Sequence, residues 1–566
     1  MSRKRPGDRP RRAAPQTEMK SRDGAGTPRE GRAQNLVVQL LIVGLAAILL
    51  FWNLDWRYLW QDEAATAVLS ARMLKFGRPL AYDGVNLITN DNFVAEDVAT
   101  IDQRTGDPKA AVAYYIERGD LKPDTSWKYQ PWGQFMVTAA SLALFGKTTL
   151  AARLPFAIAA LATVILFHGF VRQYFESWRM ASLATLLVVL NVYWILHSRQ
   201  CRYYSLSSLF LILTLITYAR WQWGRARFAL ALFLVTAWCW FQVDYGTVWP
   251  VLGVLFLDAC WAARWRQAWK PIGAGLILSA AIAPFAYYYE LWGRFSVQIG
   301  TWADRFHHNL FNLDRFVVPA VALVASAILL IRQWTKLTDP ERRLVAIGIG
   351  IIVALMFWVP TVAPETFVRY IMPAVSIGAL LLAWVLFRLL GRHRPLYLWL
   401  AGAVVVFTPA LSWPLRPIVP SPTRYYVVPD AVLRPEFGNF YYEIFTRQPD
   451  PNRIVIEWLK QNASPSDEIL INYEDVPLMF YLPNPIRGGI AAFRTEDDAK
   501  TLPRFMIVRR SVIFVHWAVF ARVAERHNWV EVSTKAPDDT WGNNPDPMWK
   551  VPGLRHVPLL MARRAD

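Results

Sequence analysis

Apolar runs of membrane-spanning length recur along most of this chain, and they leave little choice of architecture. Crossing the hydrocarbon core of a bilayer takes about 20 helical residues, and only helices or closed barrels satisfy their backbone groups there. Runs of that order lie at 36–54, 150–171, 180–197, 203–219, 228–242, 245–262, 271–289, 316–331, 344–360, 370–387 and 395–412. Of 566 residues, 54% are hydrophobic and 27 are Trp, a balance that fits lipid better than water. The predicted class is a polytopic α-helical membrane protein of about 11 spans plus in-plane helices, with a C-terminal extracytoplasmic α/β domain.

A net charge of +18 would suit a nucleic-acid binder, but the basic residues fall in short clusters between apolar runs. That pattern orients membrane proteins, so the partner is a membrane and not nucleic acid. The clusters Arg172 and Arg179, Arg220 and Arg227, Lys270, Arg332 to Arg343, and Arg388 share the side of the basic N-terminus only if the short run 132–145 does not cross. This run is therefore read as in-plane or re-entrant, which leaves the long first loop and the C-terminus outside a cell inner membrane. Cys201, Cys239 and Cys260 show no CxxC spacing, so neither a disulfide framework nor a zinc cluster is indicated.

Three regions follow. Residues 1–34 carry ten Lys or Arg against four Asp or Glu and almost no large apolar side chains, a disordered cytoplasmic tail. Residues 35–412 form the membrane part, with a large outer loop at 55–149. Residues 413–566 are long enough for one small α/β domain. Within it Asp450-Pro451 reads as the cap and first turn of a helix, and Glu468 to Tyr473 and Ser511 to His516 read as buried strands.

The chemistry-bearing residues gather where the topology places the outer surface. Asp62 and Glu63 follow the first apolar run by a few residues, flanked by Trp56, Tyr58 and Trp60, which suit the interface. An acidic pair at such a place is also what a plain helix start uses. Arg199, Arg202 and Arg369 lie in short outer loops, against the charge rule, and an anionic phosphate at the membrane surface is a natural partner for their bidentate forks. Snorkelling to ordinary headgroups is the competing account. Lys128 precedes the in-plane segment as a further candidate for the phosphate, Tyr203 and Tyr204 beside the arginine-rich stretch are read as substrate contacts, and Asp244 at the outer end of a span is read as a substrate contact, as the partner of one of the arginines or as a helix cap. The adjacent pair His307-His308 does not converge easily on one ion and reads as surface.

Taken in order, Trp60-Gln61-Asp62-Glu63-Ala64, Gln130-Pro131, Leu144-Phe145-Gly146, Ala151-Ala152-Arg153-Leu154-Pro155, Ser198-Arg199-Gln200-Cys201-Arg202-Tyr203-Tyr204-Ser205 and Arg369-Tyr370-Ile371-Met372-Pro373 resemble the motifs of the GT-C glycosyltransferases. Within that superfamily the sequence is most similar to bacterial relatives of the protein O-mannosyltransferases and of the aminoarabinose transferase that modifies lipid A. The resemblance implies a catalytic role for Asp62, with Glu63 beside it, and donor-phosphate contacts from Lys128, Arg199 and Arg202. Lys128 is separated from Pro131 by Tyr129 and Gln130, whereas many relatives have the basic residue directly before two prolines.

The expected activity is transfer of a sugar from a polyprenyl-phosphate donor to an acceptor hydroxyl on a lipid, glycan or protein. Asp62 would act as base, Arg199, Arg202, Lys128 and Arg369 would receive the phosphate, and single displacement would invert the anomeric centre. No cofactor is required by this reading, while a divalent cation remains open and no metal ligands are assigned. The alternative from another class is a transporter or flippase of lipid-linked glycans, which calls for charges inside spans and paired broken helices. A metal-dependent oligosaccharyltransferase would need an Asp-x-Asp at Asp62, which is absent.

Overall fold

The structure is a computed structural model that describes residues 28–88, 108–224, 227–263, 267, 269–294, 300–363, 366–391, 395–415, 435–447, 449–488, 503–509, 524–525, 527–534 and 559–565. Most of the basic tail, the acidic stretch from Asp91 to Asp102 and the strand expected at Ser511 to His516 lie outside the described residues.

Each of the eleven apolar runs coincides with a helix or a bent helix pair. The first eight helices are α1 (Pro28–Phe51), α2 (Gln61–Phe76), α3 (Pro108–Glu117), α4 (Gly133–Phe145), α5 (Thr149–Phe175), α6 (Trp178–Val189), α7 (Val192–Ser198) and α8 (Tyr204–Trp223). Among the described residues five helices are long and apolar enough to cross a bilayer, or seven if each of two bent pairs is one span. Asn35–Phe51, Ala229–Phe241 and Leu396–Phe407 are apolar but shorter. Large apolar side chains stand exposed on these helices, Tyr287 at 82% and Ile331 at 75% among them. A water-facing surface rarely tolerates so many, whereas a lipid-facing one requires them.

The thirteen residues of α4 span about 20 Å at 1.5 Å per residue, short of the roughly 30 Å hydrocarbon core, a length that suits an in-plane or re-entrant helix. Its first residue must be glycine, because a Cβ on Gly133 would lie 2.5 Å from the Gln242 carbonyl oxygen. Without that atom the Gly133 amide donates to the same oxygen at 2.8 Å, which fixes where α4 begins.

A local side-chain choice also shapes the approach to the site. The run expected at 180–197 is broken at Leu190-Asn191, where α6 and α7 meet at 65°. Asn191 caps α7 by accepting from the Trp194 amide at 2.9 Å, and donates to the Phe316 carbonyl at 2.8 Å. A capping asparagine competes with helix continuation, so the span bends there and carries Ser198 to Tyr204 across the end of α1 and α2.

The C-terminal region holds a five-stranded mixed sheet of β1 (Ile469–Ile471), β2 (Ile486–Gly488), β3 (Phe505–Val508), β4 (Trp529–Glu531) and β5 (Leu560–Arg564), in the order β2-β1-β3-β5-β4. β1 runs parallel to β2 and β3, and β5 antiparallel to β3 and β4. The expected helix is Pro451–Asn462, capped by Asp450, which accepts from the Asn452 amide at 3.1 Å. The core beneath the sheet is not separate. Ile456, Leu459, Ile469, Phe480 and Ile507 belong to one buried cluster with Leu59, Ala64 and Leu69 of the first loop and α2, and with Phe135 and Phe156.

Candidate active site

Asp62 and Glu63 occupy the first turn of α2, where the amide ends of the helix favour negative charge. Neighbouring helical residues are turned by about 100°, so the two carboxylates part company. Glu63 turns inward, with its side chain 1% exposed, and Arg153 of α5 grips it from Nε to Oε1 at 2.8 Å and from Nη2 to Oε2 at 2.6 Å. The Cys201 amide adds a third bond to Oε1 at 2.7 Å. Arg153 also donates to the carbonyls of Leu54, Arg57 and Tyr58, so all five of its N–H groups are used. This pair is a closed staple that joins α2, α5 and the arginine-rich stretch.

Asp62 turns outward and keeps 28% of its side chain exposed. Its Oδ2 lies 3.1 Å from Arg369 Nη1 and 3.5 Å from Arg202 Nη2. Arg202 also donates to the Asp62 carbonyl at 3.2 Å and to Thr66 Oγ1 at 3.4 Å. With its amide oxygen turned toward Arg202, Gln130 accepts from Nη1 and Nη2 at 3.3 and 3.2 Å. The Arg202 Nε is buried with no acceptor among the described residues. Burial pulls the Arg202 guanidinium down, and the Asp62 carboxylate more than restores it, so its pKa stands above the ordinary arginine value. Aromatic rings frame both cations: Arg369 lies 4.3 Å from the Phe367 ring and 5.6 Å from Tyr370, and Arg202 lies 5.8 Å from Tyr203. Tyr203 in turn packs on Tyr204 at 4.6 Å.

The other expected residues are engaged differently. Arg199 does not join Asp62; it donates to the carbonyls of Leu49 and Trp52 at 2.6 and 2.7 Å, which makes it a cap on the end of α1. Lys128 is bonded to the Gly119 carbonyl and to Glu290, which Lys122 also holds, at 2.7 Å. Desolvation raises the Glu290 carboxyl, and the two lysines overcome it to keep the pKa below the usual range. Asp244 is buried and caps the helix Tyr245–Ala262, accepting from Ser207 at 2.7 Å, from Thr247 Oγ1 at 2.5 Å and from the amides of Gly246 and Thr247. The bonds from Gly246 and Thr247 are those of a helix start and the one from Ser207 ties that start to α8, an arrangement that fits the cap account of Asp244. His307 and His308 sit on the helix Trp302–Asn312. Among the described residues no three His, Cys, Asp or Glu side chains gather where a metal ion could sit.

Two contributors escaped the sequence reading. Arg153 has no role in the sequence expectations, although a lone arginine at the outer end of a span is the same signal that marks Arg199 and Arg202. Gln130 was noted only for the proline that follows it, and an amide gives no charge pattern to notice.

No family model and no curated protein matches the chain. Solved structures do. ArnT from Cupriavidus metallidurans bound to undecaprenyl phosphate superposes with a TM-score of 0.58 at 13% identity, over 94% of this chain and 98% of that one. The same protein in the apo state gives a TM-score of 0.56 at 14% identity over the same shares, 94% and 98%. The arabinosyltransferase EmbB from Mycobacterium smegmatis gives 0.43 at 14% identity, over 82% of this chain and 41% of that chain. The chain therefore shares its fold with ArnT, as the resemblance of its ordered motifs leads one to expect.

Proposed function

We propose that this chain is an integral-membrane glycosyltransferase that moves a sugar from a polyprenyl-phosphate donor to an acceptor hydroxyl, with inversion, at the outer face of the inner membrane. The observation that carries the reading is the cluster of Asp62, Arg202 and Arg369: a part-exposed carboxylate between two guanidinium groups, one with a buried N–H that has no acceptor among the described residues. The fold adds to it, since the ArnT structure of that fold was crystallised with undecaprenyl phosphate.

The chemistry follows from what these groups do. A donor phosphate entering beside Asp62 takes over the forks of Arg202 and Arg369, which are better matched to phosphate than to one carboxylate oxygen. Release from the arginines leaves the Asp62 carboxylate free to accept the proton of the acceptor hydroxyl. The hydroxyl oxygen attacks the anomeric carbon as the bond from that carbon to the phosphate oxygen breaks, and the bonding pair leaves with the polyprenyl phosphate. Removing the proton is worth about 10² to 10⁴ in rate. The two arginines, held before the reaction by aromatic rings and by Gln130, stabilise the growing charge on the leaving phosphate. Glu63, locked to Arg153, holds the first turn of α2 and does not exchange protons with substrate in this reading.

The test is transfer by the purified chain in lipid nanodiscs, supplied with a panel of undecaprenyl-phosphate-linked sugars, reading free undecaprenyl phosphate, alongside mass spectrometry of envelope glycans with and without the protein. Acceptor-dependent release and a glycan that disappears with the protein are expected. No release from any donor together with an unchanged glycan profile overturns the reading.

A further inference from the structure

Residues 56–60, just ahead of Asp62, run between α1 and α2 without helix or strand of their own. Their backbone groups must therefore find partners elsewhere, and several come from the C-terminal region. The Tyr58 amide donates to Asp450 Oδ2 at 2.6 Å, and Arg453 donates to the Trp56 carbonyl at 3.0 Å. Leu59 is held at both ends: its amide donates to the Tyr481 hydroxyl at 3.1 Å, and its carbonyl accepts from Asn452 at 3.4 Å. The Tyr58 ring stacks on Tyr481 at 4.1 Å and 14°.

The last contact before Asp62 is a side-chain one. Gln61 Nε2 donates to Asp475 Oδ1 at 2.8 Å. Asp475 is 2% exposed and is held by this amide and by main-chain N–H groups. Asp475 opens the short helix Asp475–Tyr481, so its bonds to main-chain N–H groups are those of a helix start, while the bond from Gln61 comes from α2, across the contact between the two regions. Its own support is rigid: the preceding Glu474 is ion-paired with Arg509 at 2.9 Å, both 1% exposed, and Arg509 also donates to Asn452 at 2.9 Å.

We infer that the C-terminal region is a working part of the site, in which Asp475 and Tyr481 are positioning residues that hold Gln61 and Leu59 and so set the direction of the Asp62 carboxylate. Glu63 and Arg153 fix the first turn of α2 from the membrane side, while Asp475 and Tyr481 fix it from the sheet side. Asp62 is left as the member of that turn that projects into the cluster with Arg202 and Arg369. The inference rests on the glycosyltransferase reading for what Asp62 does, but its structural content is separate.

The experiment uses the full chain in nanodiscs with Asp475→Ala, Gln61→Ala and the double variant. Three quantities are read: turnover with the donor found above, affinity for undecaprenyl phosphate, and hydrogen exchange of a peptide covering 56–64. Each single variant is expected to lower turnover about tenfold or more while leaving undecaprenyl phosphate affinity within about twofold, because a misdirected group slows chemistry without weakening a phosphate site made by other residues. The double variant should be no worse than either single one, as expected when both remove one interaction. Exchange at 56–64 should quicken, and Asp475→Asn, which keeps an acceptor oxygen for Gln61, should restore most of the turnover. Additive losses, or unchanged turnover with unchanged exchange, overturn the inference. If Asp475→Ala does not fold, Tyr481→Phe keeps the ring and removes the hydroxyl that bonds the Leu59 amide and Thr149 Oγ1, and it is judged by the same three readings. The two readings fail separately: full turnover in Asp62→Asn sinks the proposed function, whereas collapse in Asp62→Asn with none in Asp475→Ala or Tyr481→Phe sinks only the positioning role. The exchange result stands whichever donor is used.

Discussion

Asp62 and Glu63 are adjacent carboxylates in one helical turn, and the structure treats them as opposites. Glu63 is buried, meets a fully satisfied Arg153 through two short bonds and takes a third from a main-chain amide. Asp62 is part-exposed, shares one oxygen between two arginines at 3.1 and 3.5 Å, and faces an Arg202 with a donor to spare. A closed pair has no capacity for a further ligand, whereas an open one with two cations does. Under the proposed function, that difference separates an ion pair that builds the site from one that works in it.

The contrast fails most visibly if the closed pair is dispensable. Glu63→Ala leaves Arg153 buried and unpaired, which is expected to destabilise the chain by about 3–5 kcal/mol, seen as loss of monodisperse protein or a large fall in Tm; a stable, active variant removes the structural role. Next comes Asp62→Asn, which keeps the shape and removes the proposed base. Turnover should fall at least about a hundredfold with Tm unchanged and undecaprenyl phosphate still bound, and full turnover in that variant assigns the base elsewhere. Arg202→Lys and Arg369→Lys keep charge but lose the planar fork, so undecaprenyl phosphate affinity should drop about tenfold in each. Unaltered affinity in both leaves ordinary headgroup contact as the better account. The smallest effect is expected from Arg199→Ala, which removes a cap on α1 worth about 1 kcal/mol. Its Tm should fall slightly and its undecaprenyl phosphate affinity should not move, whereas a loss of affinity returns Arg199 to the phosphate site.

Much of the fold was legible because membrane helices announce themselves. Runs such as 344–360 and 370–387 reappear within the helices Asp339–Val362 and Val368–Leu390. The break within 180–197 is only half local: Asn191 caps α7 through the Trp194 amide, but its bond to Phe316, 125 residues away in the chain, is recorded in no local pattern. In the C-terminal region, β1 was readable as an apolar stretch and the helix after Asp450 by its cap. β2 and β4 were not, being three residues each and defined by their neighbours.

The sequence by itself determined the class, the order of the motifs and the residue types available at the surface, because hydropathy and charge act over local stretches. It marked Arg199 and Arg202 equally, and Asp62 and Glu63 nearly so. Only the tertiary structure decided that Arg199 caps α1 while Arg202 reaches Asp62, that Lys128 belongs to Glu290, and that Glu63 is closed while Asp62 is open. Those assignments depend on which distant backbone and side-chain groups arrive within about 3 Å, the range over which a hydrogen bond is made, and no local pattern records that.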